Sequence, residues 1–95
     1  MKQGGLEWDD TKAAANLRKH GVTFQEAVTA LRDPLSQVVT DPDNSGIEVR
    51  WITRGLSNKR RLLVVSTTER DGNIRIISAR PATTSERKSY EETIR

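Results

Sequence analysis

Residues 73–80 read Asn-Ile-Arg-Ile-Ile-Ser-Ala-Arg and form the strongest strand candidate in the chain. Ile74, Ile76 and Ile77 are β-branched and favour a pleated, buried backbone. Asp71-Gly72 just before them is a two-residue hairpin signal, and Thr83 just after them opens a helix start. Only 34% of the residues are hydrophobic against 31% charged, so the chain has little else to build a sheet around. This is the expected central strand. Arg75 and Arg80 lie on it or at its end, and a cation beside a buried strand is costly unless it has a partner or a task.

Ninety-five residues are expected to form one domain, 1–95, with a single core. The apolar residues are few but periodic, which predicts a folded chain. With no cysteine there is no disulfide, and one histidine leaves no Cys/His zinc site, so no metal and no cofactor are expected. No apolar run reaches the length of a membrane span, and the default expectation is a soluble cytoplasmic protein with no membrane partner. Charge is uneven. Residues 1–46 carry five Lys/Arg against seven Asp/Glu, and residues 47–95 carry eleven against six. The basic half holds the predicted sheet, which suits a polyanionic partner, although basic strand edges also keep a small domain soluble.

The remaining elements follow from local signals. Residues 6–8 alternate as a short strand, with Trp8 in the core. Asp9 or Asp10 caps a helix that runs to about His20, with Ala13, Leu17 and His20 on one face and Gly21 closing it. Thr23 and Glu26 form a capping box for a second helix, whose Phe24, Ala27, Val28 and Leu31 share a face and which stops near Asp33 because Pro34 follows. Strands are expected over 35–40, 48–55 and 61–69, then 73–80, with a second capping box at Thr83 and Glu86 opening a last helix that turns Arg87, Tyr90 and Ile94 to one side. The order gives an α+β domain: a mainly antiparallel sheet of about four to five strands, two N-terminal helices and a C-terminal helix.

Register decides which side chains meet. A two-residue turn at Asp71-Gly72 pairs Arg70 with Asn73, Thr67 with Ile76 and Leu63 with Arg80. If Asn58-Lys59 is the preceding turn, Arg50 lies opposite Thr67, and Glu48, Arg50, Ile52 and Arg54 share a face with Ile76, Ser78 and Arg80. A loop one residue longer reverses that parity. The sequence leaves both open.

Several stretches together resemble the BrnT toxins of bacterial type II toxin-antitoxin systems, in the wider RelE-like group of small ribonucleases. They are Glu7-Trp8-Asp9, Asn16-Leu17-Arg18-Lys19-His20-Gly21-Val22, Phe24 with Glu26-Ala27, Asp33-Pro34, Glu48 with Arg50, Gly55, and Arg75-Ile76-Ile77-Ser78-Ala79-Arg80 with Ala82-Thr83, Glu86-Arg87 and Tyr90-Glu91. The resemblance implies a single RelE-like toxin domain that cleaves RNA, either free or on the ribosome, and so blocks translation. It also implies neutralisation by a BrnA-like ribbon-helix-helix antitoxin, through which alone operator DNA is reached. The chain departs from the family at Asn44, where the Asp-Pro-x loop often carries a histidine, so no catalytic role is carried over to that position.

Metal-independent RNA cleavage needs a base for the 2′-hydroxyl, cations for the phosphorane and an acid for the leaving oxygen. Glu48 is the candidate base, with an ion pair to Arg50 as the plain alternative. Arg50 and Arg80 are candidate phosphate clamps, since guanidinium suits bidentate phosphate contact. His20 is the candidate acid, although a histidine at a helix C-terminus is explained by the dipole alone. Lys19, Arg54, Arg70 and Arg75 are candidate RNA-backbone contacts. Tyr90 either stacks on a base or anchors its helix, the anchor being favoured. The competing reading of the whole chain is a non-catalytic protein-binding module or corepressor of the same fold.

Overall fold

The hairpin forms where the sequence places it. Asp71 and Gly72 both take positive φ, 54° and 81°, and join β5 (Leu62–Arg70) to β6 (Asn73–Pro81) with Arg70 opposite Asn73. That backbone twist matches the twist of the strands, which is why the Asp-Gly pair works there. The computed structural model describes residues 2–3, 5–41 and 48–94, with side chains from 5 onward, and Asn44 lies outside the described residues.

Around this hairpin the order is β1 (Lys2–Gln3), β2 (Leu6–Glu7), α1 (Asp10–His20), α2 (Phe24–Leu31), β3 (Gln37–Thr40), β4 (Arg50–Leu56), β5, β6 and α3 (Thr84–Thr93). The sheet runs β1-β2-β6-β5-β4-β3, antiparallel except where β2 joins β6. The described sheet therefore has six strands rather than four to five, because Lys2–Gln3 folds back on Leu6–Glu7 as an extra edge ribbon. β3 begins two residues later than expected. Asp33 accepts from the Leu35 amide through its side chain and from the Ser36 amide through its carbonyl, holding 33–36 in a turn.

One face of the sheet carries the main core. Trp8, Val22, Phe24, Ala27, Val28, Ala30, Leu63, Val65, Ile76 and Ala79 pack together, with the Trp8 and Phe24 rings edge to face at 6.0 Å. Burying each large side chain stabilises by roughly 1.5–3 kcal/mol. α2 lies over β4, β5 and β6. It comes so close that a Cβ on Gly55 would stand 2.1 Å from the Ala30 carbonyl oxygen.

α1 is placed differently from expectation. Leu17 is 47% exposed, and the buried residue of the helix is Asn16. Its amide donates to the Ala79 carbonyl at 2.8 Å and accepts from the Ala79 amide at 3.1 Å, and it donates to Val22 O at 3.0 Å. Backbone groups of a strand point in the plane of the sheet, so α1 lies along the outer edge of β6, where Asn16 stands in for the missing neighbouring strand. A face counted on apolar residues alone overlooks a helix anchored by an amide.

The Thr23 cap accepts from the Glu26 amide at 3.0 Å, but the Glu26 carboxylate does not close the box. It is 3% exposed and is taken by Arg61 and by the Ser57 hydroxyl at 2.7 Å. The Arg61 hydrogen bond, ahead of opposing burial, holds the Glu26 carboxyl below the usual range. A Gly55→Ala substitution, pressed against rigid helix backbone, is expected to destabilise by about 3 kcal/mol, read as a lowered urea midpoint at unchanged slope.

Candidate nucleic-acid interface

Two one-residue departures set the parity of the sheet. Leu56 pairs with Leu62, so the connection between β4 and β5 has five residues, with Arg60 at φ 60°, and Arg50 faces Thr68 rather than Thr67. Further along, a bulge leaves Ile77 unpaired: Thr67 keeps Ile76, Ser66 meets Ser78, and Leu63 meets Pro81 instead of Arg80. The shifts compensate. Arg50, Ile52 and Arg54 do share a face with Ser78 and Arg80, Arg75 joins them, and Ile76 turns to the core.

This open face, away from α2, is ordered in transverse rows. One row holds Arg50, Thr68 and Arg75, the next Val39, Ile52, Ser66 and Ser78, and the third Gln37, Arg54, Val64 and Arg80. At the first row Glu48 lies 3.6 Å from Arg50 and 3.3 Å from Arg70. Thr68 donates to the Val49 carbonyl at 2.7 Å and so fixes the approach to β4 beside Glu48. Arg75 pairs with Glu7 at 3.1 Å, because β2 runs parallel beside it with Glu7 as its neighbour. The Nε atoms of Arg50 and Arg75 are buried without a hydrogen-bond partner. A buried donor left unmade is costly and uncommon.

The third row is organised by α3. Arg80 donates both Nη atoms to the Glu86 carboxylate, at 2.8 and 2.9 Å, while Glu86 also accepts from the Thr83 amide at 2.8 Å to complete a full capping box. The Arg80 hydrogen bonds, opposed by burial, lower the Glu86 carboxyl to about 2. At the far side of the row Gln37 donates to the Tyr90 carbonyl at 3.4 Å. Glu86 and Tyr90 are one helical turn apart, so α3 crosses this row from β6 toward β3.

Tyr90 is 5% exposed and donates its hydroxyl to Asp33 at 2.6 Å. Burial and the Asp33 carboxylate push the phenol up to about 12. Burial pushes Asp33 up as well, but the Leu56 amide, Tyr90 hydroxyl and Leu35 amide outweigh it and leave the group below its usual range. Tyr90 is therefore a helix anchor, and the alternative of a base-stacking platform is corrected by its burial. The Arg80 fork is filled by Glu86.

His20 and Lys19 lie beyond the β6 edge, in a cleft of about 230 Å³ with Lys12, Ala15, Asn16, Ile77 and Ser78. Glu48 lies on the approach to β4, two strands away, which is roughly 10 Å of sheet. The structure brings together Glu48, Arg50 and Arg70, with Arg75 across the row, and does not bring His20 or Arg80 to them. Thr68, Ser66, Ser78 and Lys12 were not read as site residues, since hydroxyls in strands and single lysines carry no local signal. Among the described residues no three His, Cys, Asp or Glu side chains are grouped to hold a metal ion, and no helix is long and apolar enough to cross a membrane.

Fold and face together define a small α+β domain with guanidinium groups set out on the face of an antiparallel sheet opposite α2. The family model described as the ribonuclease toxin BrnT of type II toxin-antitoxin systems matches residues 8–86, and the chain belongs to that family. A crystal structure of the Brucella abortus ribonuclease toxin BrnT superposes with a TM-score of 0.61 at 22% identity, covering 83% of this chain and 96% of that one. At this identity the shared property is the fold. No curated protein sequence was found to match. The chain is thus a ribonuclease toxin of a type II system, with RNA as substrate and an antitoxin as partner.

The Glu86 pairing predicts an acid-labile contact. Its folded value lies near 2 against an ordinary 4.5, so the stabilisation is complete above about 4.5 and is lost as pH falls toward 2. Glu86→Gln is expected to lower stability at neutral pH by ~1 kcal/mol, discounted for the exposure of Arg80, and to flatten the acid limb of a melting-temperature profile in that window.

Proposed function

We propose that this toxin cleaves RNA without a metal ion, at the row formed by Glu48, Arg50, Thr68 and Arg75. The observation that carries this reading is the convergence of Arg50 and Arg70 on Glu48, with Arg75 across the same row. Arg50 and Arg75, both partly exposed on one face, suit the non-bridging oxygens of a phosphodiester.

In this reading Glu48 takes the proton of the 2′-hydroxyl as that oxygen bonds to phosphorus, and Arg50, Arg70 and Arg75 stabilise the charge on the phosphorane. The bond to the 5′-oxygen then breaks and that oxygen takes its proton from water. The products are a 2′,3′-cyclic phosphate and a 5′-hydroxyl. His20 is too far from Glu48 to serve as the acid for the same phosphate. Arg80 acts as a positioning residue that docks α3, and Arg54 lies in its row as a backbone contact for the RNA.

Family membership favours catalysis over the non-catalytic module. We further infer a single RelE-like domain over 1–95, action in the cytoplasm on free or ribosome-bound RNA, and a BrnA-like ribbon-helix-helix antitoxin through which operator DNA is reached.

Purified toxin incubated with RNA in excess chelator is expected to release 2′,3′-cyclic phosphate ends, and cleavage that appears only with added divalent ion would overturn the mechanism. Glu48→Gln is expected to lower kcat about 100-fold or more with KM little changed.

A further inference from the structure

Most cations of the open sheet face come with their own carboxylates, Arg54 being the one of its rows with no ion pair among the described residues. Arg50 and Arg70 face Glu48, Arg75 faces Glu7, Arg80 faces Glu86 and, at the sheet end, Arg61 faces Glu26. Such pairs supply directed donors but little net positive field. The α1 cleft is the opposite case. Lys12, Lys19 and His20 form no ion pair among the described residues, and no acidic residue lines the cleft they share with Ser78.

The cleft is built by three features acting together. Lys12, Ala15, Asn16, Lys19 and His20 follow i, i+3, i+4, i+7, i+8 and so form one stripe of α1. Asn16 pins that stripe to the β6 edge through Ala79. The ladder between β5 and β6 is bulged at Ile77, and the consecutive residues Ile77 and Ser78 both line the cleft. Ser78 also belongs to the row of Ser66 and Ile52, so the cleft opens onto the sheet face. Arg75 lies three residues from Ser78, roughly 10 Å along the strand.

From this geometry we infer that the cleft of Lys12, Lys19, His20 and Ser78 is a second phosphate subsite, holding a phosphodiester next to the one cleaved at the Glu48 row. The inference rests on the ribonuclease reading and adds to it the path of the strand: from the first row, past Ser66 and Ser78, to the α1 edge. The lysines bring net charge and counterion release, Ser78 a neutral hydroxyl donor, and neither acts on the reacting bond. Holding a neighbouring phosphate fixes the register of the scissile one.

The test is binding of a short fluorescein-labelled single-stranded RNA carrying 2′-O-methyl groups, which cannot be cleaved, measured by anisotropy across a salt series. Lys12 and Lys19 are exposed, so the double variant K12Q/K19Q is expected to fold, which a melting curve checks. R18Q/K88Q removes the same charge from exposed positions that do not line the cleft. The cleft pair is expected to weaken binding roughly tenfold or more and to reduce the slope of log affinity against log salt by about 1 or more, with the control pair changing both far less. Equal losses in the two variants, or no binding by the wild-type toxin, overturn the subsite. Because the probe cannot be cleaved, a wild-type toxin that failed to cut unmodified RNA would bear on the ribonuclease reading and leave this result intact.

Discussion

The bulge at Ile77 is the constraint on which the rest of the molecule depends. β6 has to bury Ile74 and Ile76 toward the helices and still deliver Arg80 to the opposite face, and strict alternation forbids both, since 74, 76 and 80 share parity. One unpaired residue removes the conflict. With Ile77 out of the ladder, Ala79 turns inward to the core and Ser78 and Arg80 turn outward. On the other side of β6 the pairing with β2 ends at Arg75, and beyond it the Asn16 amide takes up the Ala79 backbone groups that no strand partners. The facing of Ile76, Ser78, Ala79 and Arg80 is therefore the consequence of a single local feature.

A second dependency runs through Glu86. One carboxylate closes the capping box of α3, fills the Arg80 fork and so fixes where the helix crosses the sheet. Tyr90 completes the docking at the other end by reaching Asp33, which in turn accepts the Leu56 amide. Charge that looks available for substrate in the sequence is thus committed to holding α3 in place. The arginines with unmade donors, Arg50 and Arg75, lie outside that arrangement, in the row nearest Glu48.

Much of the fold was legible because it rests on local chemistry. The Asp71-Gly72 turn, the Thr23 and Thr83 caps, the stop before Pro34 and the inward Trp8 are each decided within a few residues. What was not legible depended on distant partners. Glu26 reads as half of a capping box until Arg61, 35 positions away, takes its carboxylate. With Arg60 in the left-handed region, the five-residue connection between β4 and β5 shifts the register by one residue from that of the simple turn. That shift and the bulge offset each other, so Arg50, Arg54, Ser78 and Arg80 fall on one face as the simple register had it, whereas Ile76 does not. How a strand arginine is paired is likewise invisible without coordinates, and this separates Arg80, whose fork is filled by Glu86, from Arg50, which meets Glu48 at 3.6 Å with its Nε unmade.

The central claim is that Arg80 holds the fold while Arg50 serves the reaction. It is tested most directly by the cleavage rate per folded molecule of R80Q/E86Q beside that of Arg50→Gln, with the folded fraction of each set by its own denaturation curve. Removing both partners of the α3 pair avoids leaving one charge uncompensated. A near wild-type rate for the folded R80Q/E86Q protein and a loss of about 100-fold for Arg50→Gln agree with the account, and the reverse pattern contradicts it.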